Sequence, residues 1–228
     1  MTDMNLLDIT LADCPDIRIL KTPKYLEKDQ GTDWEWWVGN PINGWMRYAI
    51  QAKKFNTKSR RYESLNHIHD GIPQIQLLEE YASANNALPL YCLYNYTTYL
   101  DGLTNSSLWH CYHYDGYDAE QFGCTIVPFN HVQKCIGTRG FRTFPALHQE
   151  ENARPLRCLL CSKDNCDVGK RGKGWFGFEN IEKFKYKQLP GGFYIDGSNR
   201  IFFQEIKEMQ MDFYRLKTVP RIIVVIYV

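Results

Sequence analysis

Apolar and polar positions alternate most clearly between residues 32 and 54. Thr32-Asp33-Trp34-Glu35-Trp36-Trp37-Val38 and Trp45 to Phe55 read as two strands. Asn40-Pro41-Ile42-Asn43-Gly44 between them is turn chemistry, so the pair predicts a hairpin. From 72 to 85 the period changes. Ile72, Ile75, Leu78 and Ala82 recur at helical spacing, with Leu77 and Tyr81 widening the stripe. Leu88 to Tyr94 then reads as a buried strand, and Arg221 to Val228 as a β-branched strand covered on both faces. Weaker patterns predict a helix over 3–13, strands over 17–26 and 122–127, and helices over 130–136 and 201–214. Residues 95–117 and 139–197 carry no clear period.

Strand alternation sorts the polar residues of the hairpin. Asp33 and Glu35 face one way, and Trp34 and Trp36 the other. On the next strand Gln51 and Lys53 share a face, while Ile50 and Ala52 share the opposite one. Two carboxylates, an amide and an ammonium therefore converge on one side. Hard oxygen ligands suit Mg²⁺ or Mn²⁺, and a lysine beside them suits a charge near an attacked phosphate. Asp33, Gln51 and Lys53 are expected within roughly 8 Å of one another, close enough to share one ion and one phosphate.

An acid on one strand followed by Gln51-Ala52-Lys53 on the next resembles the PD-(D/E)xK restriction-endonuclease-like superfamily in its Gln-x-Lys variant. The longer pattern is Gly31-Thr32-Asp33-Trp34-Glu35-Trp36-Trp37, then Gln51-Ala52-Lys53-Lys54, then Pro89-Leu90-Tyr91. It is similar to an uncharacterised bacterial domain family near the Mrr-type and anti-phage effector nucleases. The resemblance covers roughly residues 25 to 95. It implies a single α/β domain with a mixed central sheet flanked by helices. The restriction-endonuclease-like core would span about 15–95 plus the strand at 221–228, with 96–220 as an irregular elaboration.

The activity so implied is Mg²⁺- or Mn²⁺-dependent cleavage of phosphodiester bonds in nucleic acid, with DNA the expected substrate and phage defence the expected setting. Asp33, Glu35, Gln51 and Lys53 would form the catalytic set. Asp33, Glu35, Gln51 and the upstream acid Glu27 would supply the metal ligands. Gln74 at the start of the following helix would face the substrate. Gln51 stands where an acid is commoner, and an amide donates an oxygen but no charge. That departure keeps a second reading open: a nucleic-acid-binding or regulatory module that does not cleave. A homo-oligomer or a defence-system partner protein is compatible with either.

Composition changes this picture little. The 228 residues suffice for one α/β domain with a sizeable core. The charge of +1, from 27 Lys and Arg against 26 Asp and Glu, neither favours nor excludes nucleic acid, so local patches decide. One such patch is Lys170-Arg171-Gly172-Lys173-Gly174-Trp175-Phe176, where Lys170, Arg171 and Lys173 are expected to track a phosphate backbone. No apolar run approaches ~18 residues, so no membrane partner is expected. The N-terminus lacks a secretory pattern, and eight cysteines then point to reduced thiols in the cytoplasm. Cys158-x₂-Cys161-x₄-Cys166 could take Zn²⁺ with Cys135, His148 or Cys124 as the fourth ligand, but no second Cys-x₂-Cys pair exists, and Zn²⁺ is not expected. His110 and His113 around Cys111 form a weaker set.

Overall fold

The structure, a computed structural model, describes residues 11, 14, 16–21, 31–95, 123–148, 153–160, 181–190, 193–198, 200–203 and 222–227. In chain order the strands are β1 (Ile17–Lys21), β2 (Trp34–Asn40), β3 (Gly44–Lys54), β4 (Ile68–His69), β5 (Ile72–Pro73) and β6 (Leu88–Tyr94). They continue with β7 (Cys124–Pro128), β8 (Arg154–Pro155), β9 (Lys185–Tyr186), β10 (Phe193–Ile195), β11 (Ile201–Phe203) and β12 (Ile222–Tyr227). The helices are α1 (Gln74–Ala84), α2 (Phe129–Cys135) and α3 (Phe144–His148). Among the described residues, eight strands form one mixed sheet in the order β1-β12-β2-β3-β6-β7-β8, with β9 on the free flank of β3. The fold is α/β, with a large mixed central sheet and few helices.

β2 and β3 form the expected antiparallel hairpin, with Trp34 opposite Ile50 and Asn40 opposite Gly44. Its turn is fixed by Asn40, whose Oδ1 accepts the N–H groups of Ile42 and Asn43 at 2.9 and 2.7 Å. β6 lies parallel to β3, so α1 is a crossover helix between parallel neighbours. β12 runs parallel to β2 and antiparallel to β1. Its Val224 and Ile226 enter one core and Ile223 and Val225 another, as its unbroken apolar character predicts.

Alternation divides the core cleanly. Trp34, Trp36, Tyr48, Ile50, Leu90 and Cys92 pack on one face. Ala49, Tyr91, Leu93 and Val127 face the other, where Leu78 and Tyr81 of α1 and Val132 of α2 cover them. Two expectations are corrected. Ile72 and Pro73 belong to β5, which pairs with β4 across Asp70-Gly71, so α1 begins only at Gln74. Asp70 and Gly71 both have positive φ, the signature of a tight Asp-Gly hairpin that competes with helix at Ile72. Ile201–Phe203 is a strand paired with β10, not the start of a helix, and 204–214 lie outside the described residues. The sheet also reaches further than the expected core, since β7, β8 and β9 come from the stretch read as irregular. The segment 3–13, apart from Leu11, and residues 22–26 lie outside the described residues.

A buried polar network ties this face to α3. The Tyr62 hydroxyl donates to Asn95 Oδ1. Asn95 Nδ2 donates to Thr125 Oγ1 at 2.9 Å and lies 3.2 Å from His148 Nε2, which is 3.0 Å from Thr125 Oγ1. His148 Nδ1 faces the Phe144 carbonyl at 2.9 Å, so this nitrogen carries the proton and Nε2 accepts. Burial pushes the His148 pKa down to about 3 from an ordinary 6.5. The unfolded chain therefore binds one more proton between those values. The stabilising contribution is full above pH 6.5 and is lost as pH falls toward 3. Urea unfolding should show stability dropping by at most about 1.4 kcal/mol per pH unit from this group. His148→Gln should flatten the dependence over that window.

Candidate metal and phosphate site

The hairpin and α1 build one polar cluster. Asp33 sits just before β2, on a turn begun by Gly31. Gly31 has a φ of +68°, and a Cβ there would lie 2.6 Å from the Leu78 backbone N and 2.8 Å from the Gln74 carbonyl oxygen. Only glycine lets this segment press against the first turns of α1. Asp33 N–H then bonds the Ile50 carbonyl at 3.0 Å, locking the segment to β3. Asp33 Oδ2 accepts from the Gln51 side-chain amide and, at 2.7 Å, from the Ala52 backbone N–H.

Gln51 and Lys53 are both buried polar side chains, 2% and 5% exposed. Gln51 Oε1 is buried without a hydrogen-bond partner among the described residues. Such an orphaned acceptor costs about 1–3 kcal/mol. Lys53 Nζ donates to Oε1 of Gln74, the first residue of α1. Gln74 is aimed by its own backbone, whose N–H bonds the His67 carbonyl at 2.8 Å. Burial lowers the Lys53 pKa to about 8, and the nearby Asp33 charge only partly opposes the shift. Asp33, Gln51, Lys53 and Gln74 are thus brought together on the helix-covered face of the sheet.

Glu35 has a separate environment. It is 1% exposed, and three donors hold its carboxylate: Trp37 Nε1 at 2.6 Å, the Arg47 guanidinium at 2.6 Å and the Tyr81 hydroxyl at 2.5 Å. Arg47 also donates to the Asn85 carbonyl at 2.8 Å and lies over the Trp37 ring. Burial alone would lower the Arg47 pKa, but Glu35 and Tyr81 hold it above its ordinary value. The expected second ligand is therefore occupied in a buried ion pair joining β2, β3 and α1. The register brings the partners in: Arg47 lies opposite Trp37, next to Glu35 on the same face, and Tyr81 belongs to the apolar stripe of α1.

The residues fit a hard divalent cation in a limited way. Asp33 offers an anionic oxygen and Gln51 an unsatisfied carbonyl oxygen, a small set that suits Mg²⁺, which keeps waters and substrate phosphates as its other ligands. Among the described residues no three His, Cys, Asp or Glu side chains cluster as a metal site. Glu27, Lys170, Arg171 and Lys173 lie outside the described residues, as do His110, Cys111, His113, Cys161 and Cys166. The described cysteine and histidine candidates divide between two cores, with Cys124 packed against the first and Cys135 against the second. Cys158 is buried in the first core, while His148 stacks on Phe144 in the second. Cys135 Sγ is 3.4 Å from His131 Nε2, and Cys124 interacts with Cys92.

The class defined so far is an α/β protein with a carboxylate, an amide and a lysine gathered between a central hairpin and a crossover helix. Residues 1–189 match the model of a family described as a family of unknown function, DUF6615, and the chain belongs to that family. No curated protein and no solved structure matches the chain. No helix among the described residues is long and apolar enough to cross a membrane.

The Glu35 environment yields a test. Glu35→Ala removes one partner of a buried pair and strands Arg47 and Tyr81. It should lower the free energy of unfolding by about 3–5 kcal/mol in urea denaturation. A stable variant that had lost only divalent-cation binding would instead restore Glu35 as a ligand.

Proposed function

We propose that this protein is a divalent-metal-dependent nuclease acting on DNA, with a restriction-endonuclease-like core formed by β2, β3, α1 and β6. One observation carries the reading: a buried lysine and an orphaned amide oxygen sit beside one carboxylate on a single sheet face. A frame under pressure for stability alone would place apolar side chains at Gln51 and Lys53. Asp33 and the Gln51 carbonyl oxygen would hold the metal. A bound Mg²⁺ would supply Lewis-acid polarisation of the phosphate and a more acidic water.

The remaining steps belong to the chain. Lys53, steered by Gln74, donates to a non-bridging phosphate oxygen and stabilises the charge that grows there during attack by water. Its low-dielectric surroundings strengthen that interaction. Asp33 orients the Gln51 amide and, through the Ala52 N–H, fixes the end of β3. Cytoplasmic defence against foreign DNA is the setting that the sequence resemblance suggests. Glu35 is held by Arg47 and Gln51 carries no charge, which favours a second reading in which the same cluster binds a phosphate backbone without cutting it.

Plasmid cleavage in Mg²⁺ separates the two. Wild-type protein should nick or linearise the plasmid. Asp33→Asn should abolish cleavage, a loss of at least about a hundredfold for a principal ligand and orienting group, while the protein still folds. Gln51→Glu should tighten Mg²⁺ binding by restoring an acid. Asp33→Asn cleaving like the wild type would remove the site assignment, and inactive wild-type protein that binds DNA would favour the second reading.

A further inference from the structure

Between β3 and β4 the chain makes a basic loop that no role described so far uses. Lys54, Lys58, Arg60 and Arg61 are all exposed, against one carboxylate, Glu63. The loop is built rather than slack. The Asn56 N–H bonds the Arg61 carbonyl at 2.9 Å, and Asn56 Oδ1 accepts from the N–H groups of Lys58 and Ser59 at 2.9 and 3.2 Å. Asn56 Nδ2 donates to Glu63 Oε2 at 2.8 Å, so the one acid is partly engaged within the loop. Tyr62 and Leu65, both fully buried, pin the loop to the helix-covered core. A cleft of about 700 Å³ opens here, lined by Lys54, Phe55, Thr57, Lys58, Glu63 and Ser64.

The placement relative to the polar cluster gives the loop its meaning. Lys54 follows Lys53 at the end of β3, so alternation sends its side chain to the other face, and the loop leaves from the strand end that carries Lys53. Further on, His67 receives the N–H of Gln74, the residue that holds Lys53. The loop thus starts and finishes at the cluster. We propose that the cleft lined by Lys54 and Lys58, with Arg60 and Arg61 beside it, seats the sugar–phosphate backbone of a DNA strand where it passes the end of β3, beyond the phosphate held at Lys53. The inference rests on the nuclease reading for the identity of that phosphate. Exposed cations on a pre-ordered loop suit a polyanion: each neutralised phosphate releases counterions, and little loop entropy is lost. Hydroxyls of Thr57 and Ser64 add neutral donors to phosphate oxygens, and none of these groups reads a base.

The experiment is fluorescence anisotropy of a labelled DNA duplex in EDTA, at several salt concentrations, so that binding is read without cleavage. Wild-type protein should bind, with affinity falling linearly in log salt. Lys54→Ala/Lys58→Ala should bind at least about tenfold more weakly at low salt and reduce the salt slope by roughly two, one per lost phosphate contact. Both side chains are exposed, so the melting temperature should stay unchanged. An unchanged affinity and slope in this variant would overturn the proposal, as would wild-type protein that binds no DNA. Binding of an RNA duplex alone would overturn the assignment to DNA. If the double variant loses binding while wild-type protein cleaves nothing in Mg²⁺, the cleft stands and the nuclease reading falls.

Discussion

Burial of the Lys53 ammonium is the constraint that the surrounding arrangement accommodates. A lysine that is 5% exposed, with a pKa near 8, is disfavoured as a cation by roughly 3 kcal/mol relative to water. Gln74 and the Asp33 charge recover part of that cost, and they bring two further elements to one point. Gly31 must be glycine for Asp33 to reach β3 beneath α1. Gln74 must open α1, and Pro73 at the preceding position helps end the β5 strand there. The local geometry around α1 follows from the need to surround one charge.

Two carboxylates two residues apart divide the work. Glu35 lies deeper, where Arg47, Trp37 and Tyr81 satisfy it, and it acts as a rivet between hairpin and helix. Asp33 lies just before the strand, is less buried, and contacts the groups that can meet a ligand. A rigid pair behind a more open one is what a site needs if small displacements are to cost activity. The same face continues into the Tyr62, Asn95, Thr125 and His148 network, which anchors the loop after β3 to β7 and α3.

Elements with a strong period were legible from the chain. β6 spans Leu88–Tyr94 as its apolar run implies, and the hairpin and C-terminal strand follow their patterns closely. Gln51, Lys53 and Asp33 converge because alternation fixes strand faces regardless of distant packing. The same rule placed Glu35 on the right face but could not show which partner it would take. Arg47 lies twelve residues away and Tyr81 forty-six, and only the register and the crossover helix bring them together. Ile72 misled because its apolar character fits both a helix stripe and β5, and Asp70-Gly71 decides between them. Ile201 misled for the same reason, since the pairing partner that makes it a strand is Ile195.

The most direct measurement replaces Lys53 with methionine, which is similar in length and uncharged. Its unfolding free energy and its Mg²⁺-dependent DNA cleavage are read side by side with wild type. If the buried ammonium is kept for function, Lys53→Met should be more stable by about 1–3 kcal/mol, the desolvation cost removed, and should no longer cleave. A less stable variant, or one that still cleaves DNA, would contradict the account.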